Sequence, residues 1–258
     1  MSAVNLIERA ASDFGGTCTR INESSGILEL PVLLVDGRTI EYRLLLKETE
    51  KQVSVREEPP KHLPAFCPER HINYDGTFCL YYPAASRLEV HDDASAIAWV
   101  ETLYKYLKLQ DRAKRLRKWP NASSWAHGDA AHQQLRALEA ASALRHDISN
   151  AVEQGQIILK RRKSKGRSIL EIWIGNNRIF SVWEHHKRVV NQSRRCFCLS
   201  SGSRRPKRLR RCNDHAQQAA ELALAIRDWE DAEQRFWDSV TGRSCCGSCD
   251  NCPLPLES

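Results

Sequence analysis

Apolar residues Val4, Leu6, Ile7 and Ala10–Ala11 recur at three- and four-residue spacing over residues 3–14, and Gly15-Gly16 follows as a stop. That period predicts a short amphipathic helix. Residues 27–35 read as a strand, Asp36-Gly37 as a hairpin turn, residues 39–46 as a returning strand and residues 52–56 as a third. Pro59, Pro60, Pro64 and Pro68 then break regular structure, so residues 63–83 are predicted as loop or extended backbone. Helical spacing resumes over residues 93–118 through Ile97, Val100, Leu103, Tyr104, Leu107 and Leu116. It stops at Trp119-Pro120 and returns over residues 130–144. Three strand-like runs, 156–160, 168–174 and 178–183, are separated by Gly166 and Gly175-Asn176-Asn177. A long helix over residues 216–240 precedes a cysteine-rich end. The order predicts an α+β fold: an antiparallel meander with helices on one face, then a small β/α region.

Of 258 residues 41% are apolar, enough for a core, and no apolar run approaches the roughly 20 residues of a membrane-spanning helix. Glu8 and Arg9 interrupt the apolar start, so no signal peptide is read and a non-secreted, cytoplasmic protein is expected. In that setting ten cysteines are better explained as metal ligands and reactive thiols than as disulfides. The net charge of +7 is uneven: residues 1–147 carry 19 Lys/Arg against 20 Asp/Glu, and residues 148–258 carry 20 against 12. Seven cysteines also fall in the second stretch. Two domains, 1–147 and 148–258, are therefore expected.

The segment His71-Ile72-Asn73-Tyr74-Asp75-Gly76-Thr77-Phe78-Cys79-Leu80 holds the first candidate chemistry. A thiol after a glycine turn, with an asparagine upstream to donate to a developing oxyanion, fits an exposed nucleophile. A cysteine between Phe78 and Leu80 equally fits a small buried hydrophobe. His71-x-Asn73, Asp75-Gly76-Thr77 and Cys79-Leu80 resemble the active-site signature of ubiquitin-conjugating E2 enzymes, with Ile72 standing where the eukaryotic family has proline. Trp99 to Gln110, Trp119-Pro120 and His127-Gly128 extend the likeness to bacterial E2-like proteins of ubiquitin-like conjugation operons, over roughly residues 1–145. The resemblance implies a UBC-like fold, Cys79 as the thioester-forming catalytic residue, Asn73 as an oxyanion donor and His71 as loop support. Cys67 nearby is left as an alternative thiol or a packing residue, and His127 as a helper in chemistry or a helix cap.

Cys196-Phe197-Cys198 and Cys212-Asn213-Asp214-His215 form two close pairs of soft ligands around a 13-residue loop with no apolar core of its own. Tetrahedral zinc at Cys196, Cys198, Cys212 and His215 is expected, and the pattern loosely resembles short SEC-C-type motifs. Cys245, Cys246, Cys249 and Cys252 crowd into eight residues, so a cation or a disulfide is expected there. A second zinc, ligands shared with the first, and a redox-sensitive vicinal pair all remain open. The cofactor expected is thus zinc, one or two structural ions. The region also resembles the cysteine-rich tail of some bacterial E2-like domains.

Basic runs at Lys160-Arg161-Arg162-Lys163 and Arg204-Arg205-Pro206-Lys207-Arg208 lack regular aromatic interleaving, which argues against nucleic-acid binding. The function the resemblance implies is an E2-like transferase: Cys79 takes a ubiquitin-like protein from an E1-like partner and passes it to an acceptor protein, with antiphage defence as the setting by analogy with the bacterial operons and no membrane involved. The alternative is a catalytically degenerate scaffold whose zinc domain binds a protein or nucleic acid.

Overall fold

The computed structural model describes residues 2–49, 52–86, 88–120, 124–190, 193–198 and 208–256. The chain forms two units, Met1–Asn121 with Thr241–Ser258, and Ala122–Val240. In the first unit, α1 (Ala3–Ser12) leads into a four-stranded antiparallel meander of β1 (Thr17–Asn22), β2 (Ser25–Leu33), β3 (Thr39–Thr49) and β4 (Gln52–Glu57). The long helix α2 (Asp93–Leu116) completes it.

Alternation on β2 to β4 sends Leu28, Leu30, Val32, Tyr42, Leu44, Leu46, Val53 and Val55 to one face. Ile7 of α1 and Trp99, Val100, Leu103 and Leu107 of α2 belong to the same core. Each such aliphatic side chain stabilises the fold by about 1.5–3 kcal/mol relative to exposure. The Asp92 carboxylate accepts the Ser95 backbone N–H at 2.8 Å while the Ser95 hydroxyl receives the Asp92 N–H at 3.0 Å, a capping box that fixes the start of α2.

The second unit contains α3 (Ala130–Ser142), α4 (His146–Glu153), an antiparallel sheet of β5 (Ile157–Ser164), β6 (Arg167–Ile174), β7 (Asn177–Trp183) and β8 (Arg188–Val189), and α5 (His215–Ser239). Leu170, Ile172, Phe180 and Val182 of the sheet are buried in one core with Ala137, Ala140 and Ala141 of α3 and Leu222, Ala223 and Ile226 of α5. Small side chains let α3 approach α5 closely, and Arg136 of α3 ties the pair by ion-pairing with Glu221 and Asp228. The step in charge and cysteine content at 147/148 therefore lies inside this unit, within α4. Charge is a property of the surface, whereas the alanine face of α3 sets where the core continues. No helix among the described residues is long and apolar enough to cross a membrane.

Candidate active site and metal centre

The backbone between β4 and α2 is stitched down from both sides. The buried Glu57 carboxylate accepts the backbone N–H groups of Lys61, His62 and Leu63 at 2.9–3.0 Å, ordering the start of the proline loop. A 3₁₀ turn, Pro68–Arg70, follows, and His71 leaves it in the left-handed region at φ 56°. Arg70 is buried. Its Nε donates to Gln110 Oε1 of α2 at 2.8 Å, and Gln110 Nε2 donates back to the Arg70 carbonyl at 2.6 Å. The Tyr106 hydroxyl donates to the carbonyls of Arg70 and His71 at 3.2 and 3.0 Å.

The chain then reverses. Asn73 N–H donates to the Thr77 carbonyl and Gly76 sits at φ 80°, a conformation open to glycine without strain. Phe78 N–H pairs with the Val55 carbonyl of β4 at 2.9 Å and Cys79 N–H with the His71 carbonyl at 2.8 Å. Ile72 and Phe78 turn into the core, Phe78 stacking on Tyr106 at 5.0 Å, so the alternating positions Asn73 and Cys79 lie away from it. Cys79 is half-buried, and burial pushes its thiol above the ordinary value. The Asn73 amide donates to Thr77 Oγ1 at 3.0 Å, and Thr77 in turn donates to Asp75. The expected oxyanion donor is thus engaged inside its own turn. The His71 ring lies 4.9 Å from that of Trp119.

Cys196, Cys198, Cys212 and His215 converge. Cys198 Sγ lies 3.4 Å from Cys196 Sγ, 3.5 Å from Cys212 Sγ and 3.3 Å from His215 Nδ1; the imidazole nitrogen is 3.4 Å from the other two sulfurs. Zinc–sulfur and zinc–nitrogen bonds of ~2.3 and ~2.0 Å in a tetrahedron require edges of about 3.5–3.8 Å, so the donor set fits. Phe197 points into the core beside Phe180, anchoring the two flanking cysteines. The turn Leu209–Arg211 delivers Cys212, and His215 opens α5. Burial opposes the Cys212 thiolate, but His215 and its backbone N–H together with the neighbouring thiols draw the thiol down to about 6. Among the described residues this is the one group of Cys, His, Asp or Glu whose ligand atoms all lie within 4.8 Å.

The terminal cysteines separate differently. Ser248 Oγ lies 2.9 Å from Cys246 Sγ and 4.0 Å from Cys67 Sγ, while the Gly247 N–H donates to Cys245 Sγ at 3.4 Å. Cys67 is buried and so is not an exposed thiol. His127 pairs with Glu233 and stacks on Phe236 at 4.6 Å, and its carbonyl accepts the Ala130 N–H at the start of α3. Sequence spacing left Glu233 unrecognised because its partner lies 106 residues away. Of the first basic run, Arg161 pairs with Glu230 and Asp231, and Arg162 with the buried Glu171. Arg204 to Lys207 lie outside the described residues.

A family model for a prokaryotic E2 domain matches residues 14–121, and one for a cysteine-rich domain C-terminal to an E2 domain matches residues 126–254. No curated protein and no solved structure matches the chain. With the meander, the helix α2 behind the Cys79 loop and the cysteine-rich region in this order, the chain belongs to the prokaryotic E2-like proteins that carry a C-terminal cysteine-rich domain.

Proposed function

We propose that the protein is an E2-type carrier of a ubiquitin-like protein. The observation that supports this best is the half-buried Cys79 on a hairpin fixed to both β4 and α2 of an E2 domain. Its sulfur attacks the thioester carbonyl of a ubiquitin-like protein held on an E1-like partner. A new Sγ–C bond forms, the E1 sulfur leaves, and the thiol proton passes to it through solvent. An amine of the acceptor protein then attacks the same carbonyl, and Cys79 departs as the leaving group. The elevated thiol makes Cys79 a good carrier at neutral pH only when it meets an already activated acyl group. Zinc at Cys196, Cys198, Cys212 and His215 supplies structure, drawing the backbone of two separate segments together. The setting we infer is the bacterial cytoplasm, in a conjugation system directed against phage.

One observation favours a second reading, a non-catalytic scaffold: the Asn73 amide is held by Thr77. Incubation with the cognate E1, ubiquitin-like protein and ATP, read on a non-reducing gel, separates the two. A thiol-sensitive adduct lost in Cys79→Ala and kept in Cys18→Ala supports the carrier; no adduct on a folded, zinc-loaded chain supports the scaffold.

A further inference from the structure

The turn between β7 and β8, the start of α5 and the short 3₁₀ turn that delivers Cys212 enclose a cavity of about 330 Å³. Its size falls within the ~300–1,000 Å³ typical of small-molecule sites. We propose that it binds a ligand with two adjoining phosphates, as in pyrophosphate or the diphosphate of a nucleotide, through Lys187, Arg188, Arg210 and Arg211. The site belongs to the second unit.

Charge is the first support. Four cations border the cavity and no acidic side chain does. Arg136, Arg161, Arg162, Arg178 and Arg227 of the same unit each meet a carboxylate, whereas these four have none within ion-pair distance among the described residues. The acids closest in sequence are engaged elsewhere: Glu184 pairs with Arg227, and the Asp214 carboxylate lies 4.0 Å from Cys212 Sγ. Like charges gathered around one cavity repel one another over the ~8 Å that physiological salt leaves unscreened, and a bound polyanion removes that cost. Zinc at the neighbouring cluster does not supply the missing charge, because three thiolates around a divalent ion carry one net negative charge against four positive.

The backbone presents these side chains from two directions. Lys187 sits in the left-handed region at φ 49° with its N–H donating to the Glu184 carbonyl at 3.4 Å, and Arg188 then pairs with Trp183 in the sheet. Buried Leu209 anchors the turn that carries Arg210 and Arg211. Its N–H donates to the Arg194 carbonyl at 2.9 Å, and the Cys212 N–H closes on the Leu209 carbonyl at 3.1 Å. The first turn of α5, a helix of 25 residues, completes the wall and carries no acidic side chain, so the positive end of its dipole adds to the field. No aromatic ring borders the cavity, which leaves nothing to stack on a base. Guanidinium groups match phosphate oxygens two at a time, so recognition falls on the phosphates.

Isothermal titration of the full-length, zinc-loaded protein with sodium pyrophosphate at low salt tests the proposal, with zinc content measured before and after to exclude chelation. One pyrophosphate per chain is expected. Losing a charge-assisted bond weakens binding about tenfold or more, which is expected of Arg188→Gln and of Arg210→Gln. Lys163→Gln, an equal change of charge on β5, is expected to stay within twofold of the parent. No binding by the parent, unchanged affinity in the Arg188→Gln, Arg210→Gln double variant, or equal weakening by Lys163→Gln would overturn the site. ADP binding tenfold or more tighter than pyrophosphate assigns the phosphates to a nucleotide, and equal affinity assigns them to a free oligophosphate; both support the site. A single-stranded oligonucleotide that binds through the same residues and displaces pyrophosphate at tenfold lower concentration would overturn the small ligand in favour of nucleic acid. Should a variant lose its zinc, phenylglyoxal labelling of the parent decides. Pyrophosphate is expected to shield Arg188, Arg210 and Arg211 but not the exposed Arg167; equal labelling of all four with and without it defeats the proposal.

Discussion

Replacing Gln110 by Leu removes the side chain that locks the Cys79 loop to α2 while keeping most of its volume. Two bonds disappear, from Arg70 Nε to Gln110 Oε1 and from Gln110 Nε2 to the Arg70 carbonyl. The carbonyl retains the Tyr106 hydroxyl, and the guanidinium retains the Gln110 backbone carbonyl and Ser248. What remains is one buried, charged Nε–H without a partner. Bonds to charged groups contribute about 1.5–3 kcal/mol, so a loss of about 2 kcal/mol is expected, and about 4 for Gln110→Ala, which adds a cavity. The effect falls on local opening of the segment 67–79. Hydrogen exchange of the Ile72 and Cys79 amides, both bonded within that segment, reads it directly. A change of ~2 kcal/mol means exchange about 30-fold faster, with residues 157–183 of the second unit unchanged. Exchange in Gln110→Leu within twofold of the parent would show that the Arg70–Gln110 pair does not hold the loop.

Three further outcomes are expected. Because burial raises the Cys79 thiol, its alkylation by iodoacetamide should be slower than that of an exposed cysteine at pH 8 and keep rising through pH 9 and above; a plateau below pH 8 contradicts the assignment. Against the upward push of burial, His127 holds the Glu233 carboxyl below its usual 4.5. The stability this pair adds is therefore complete above that value and lost as pH falls through the lower folded value, so thermal melts of Glu233→Gln and parent should converge in acid and diverge near neutrality. Phe197→Ala should destabilise the second unit by about 3–5 kcal/mol and release zinc at lower chelator concentration, measured with a colorimetric zinc indicator; unchanged release would show that the flanking cysteines do not depend on this anchor.

Elements with one buried face were legible in the sequence, because burial writes its own period. The predicted helices at 3–14, 93–118 and 216–240 and the strands at 27–35, 39–46 and 168–174 coincide with α1, α2, α5, β2, β3 and β6 to within a few residues. β1, Thr17–Asn22, escaped because it is an edge strand with almost every side chain exposed, leaving no alternation to read. α4 has only eight residues, and β8 only two. The same rule governs the cysteines. Cys196, Cys198, Cys212 and His215 stand in two tight pairs and announce a site by spacing alone. The approach of Ser248 to both Cys67 and Cys246 depends on how the chain returns to its first unit, which no local pattern encodes.

A chain that carries a thioester on Cys79, as proposed above, must keep its other nine cysteines from competing for the acyl group. Of the described thiols, Cys196, Cys198 and Cys212 converge on His215, and Cys67, Cys245 and Cys249 are buried. Cys18 lies on β1 with its thiol pushed up to about 11 by burial and Glu8, which leaves it largely protonated and slow to attack. Cys79 is different. No thiol, imidazole or cation contributes to its shift, which comes from burial alone. It sits on a hairpin that the backbone of β4 and the side chains of α2 prevent from sliding. On the carrier reading proposed above, selectivity would rest on where this hairpin holds Cys79 rather than on strong activation of its thiol. Zinc at Cys196, Cys198, Cys212 and His215 would then serve the transfer without touching it, since stripping it would release three additional thiols on the same chain.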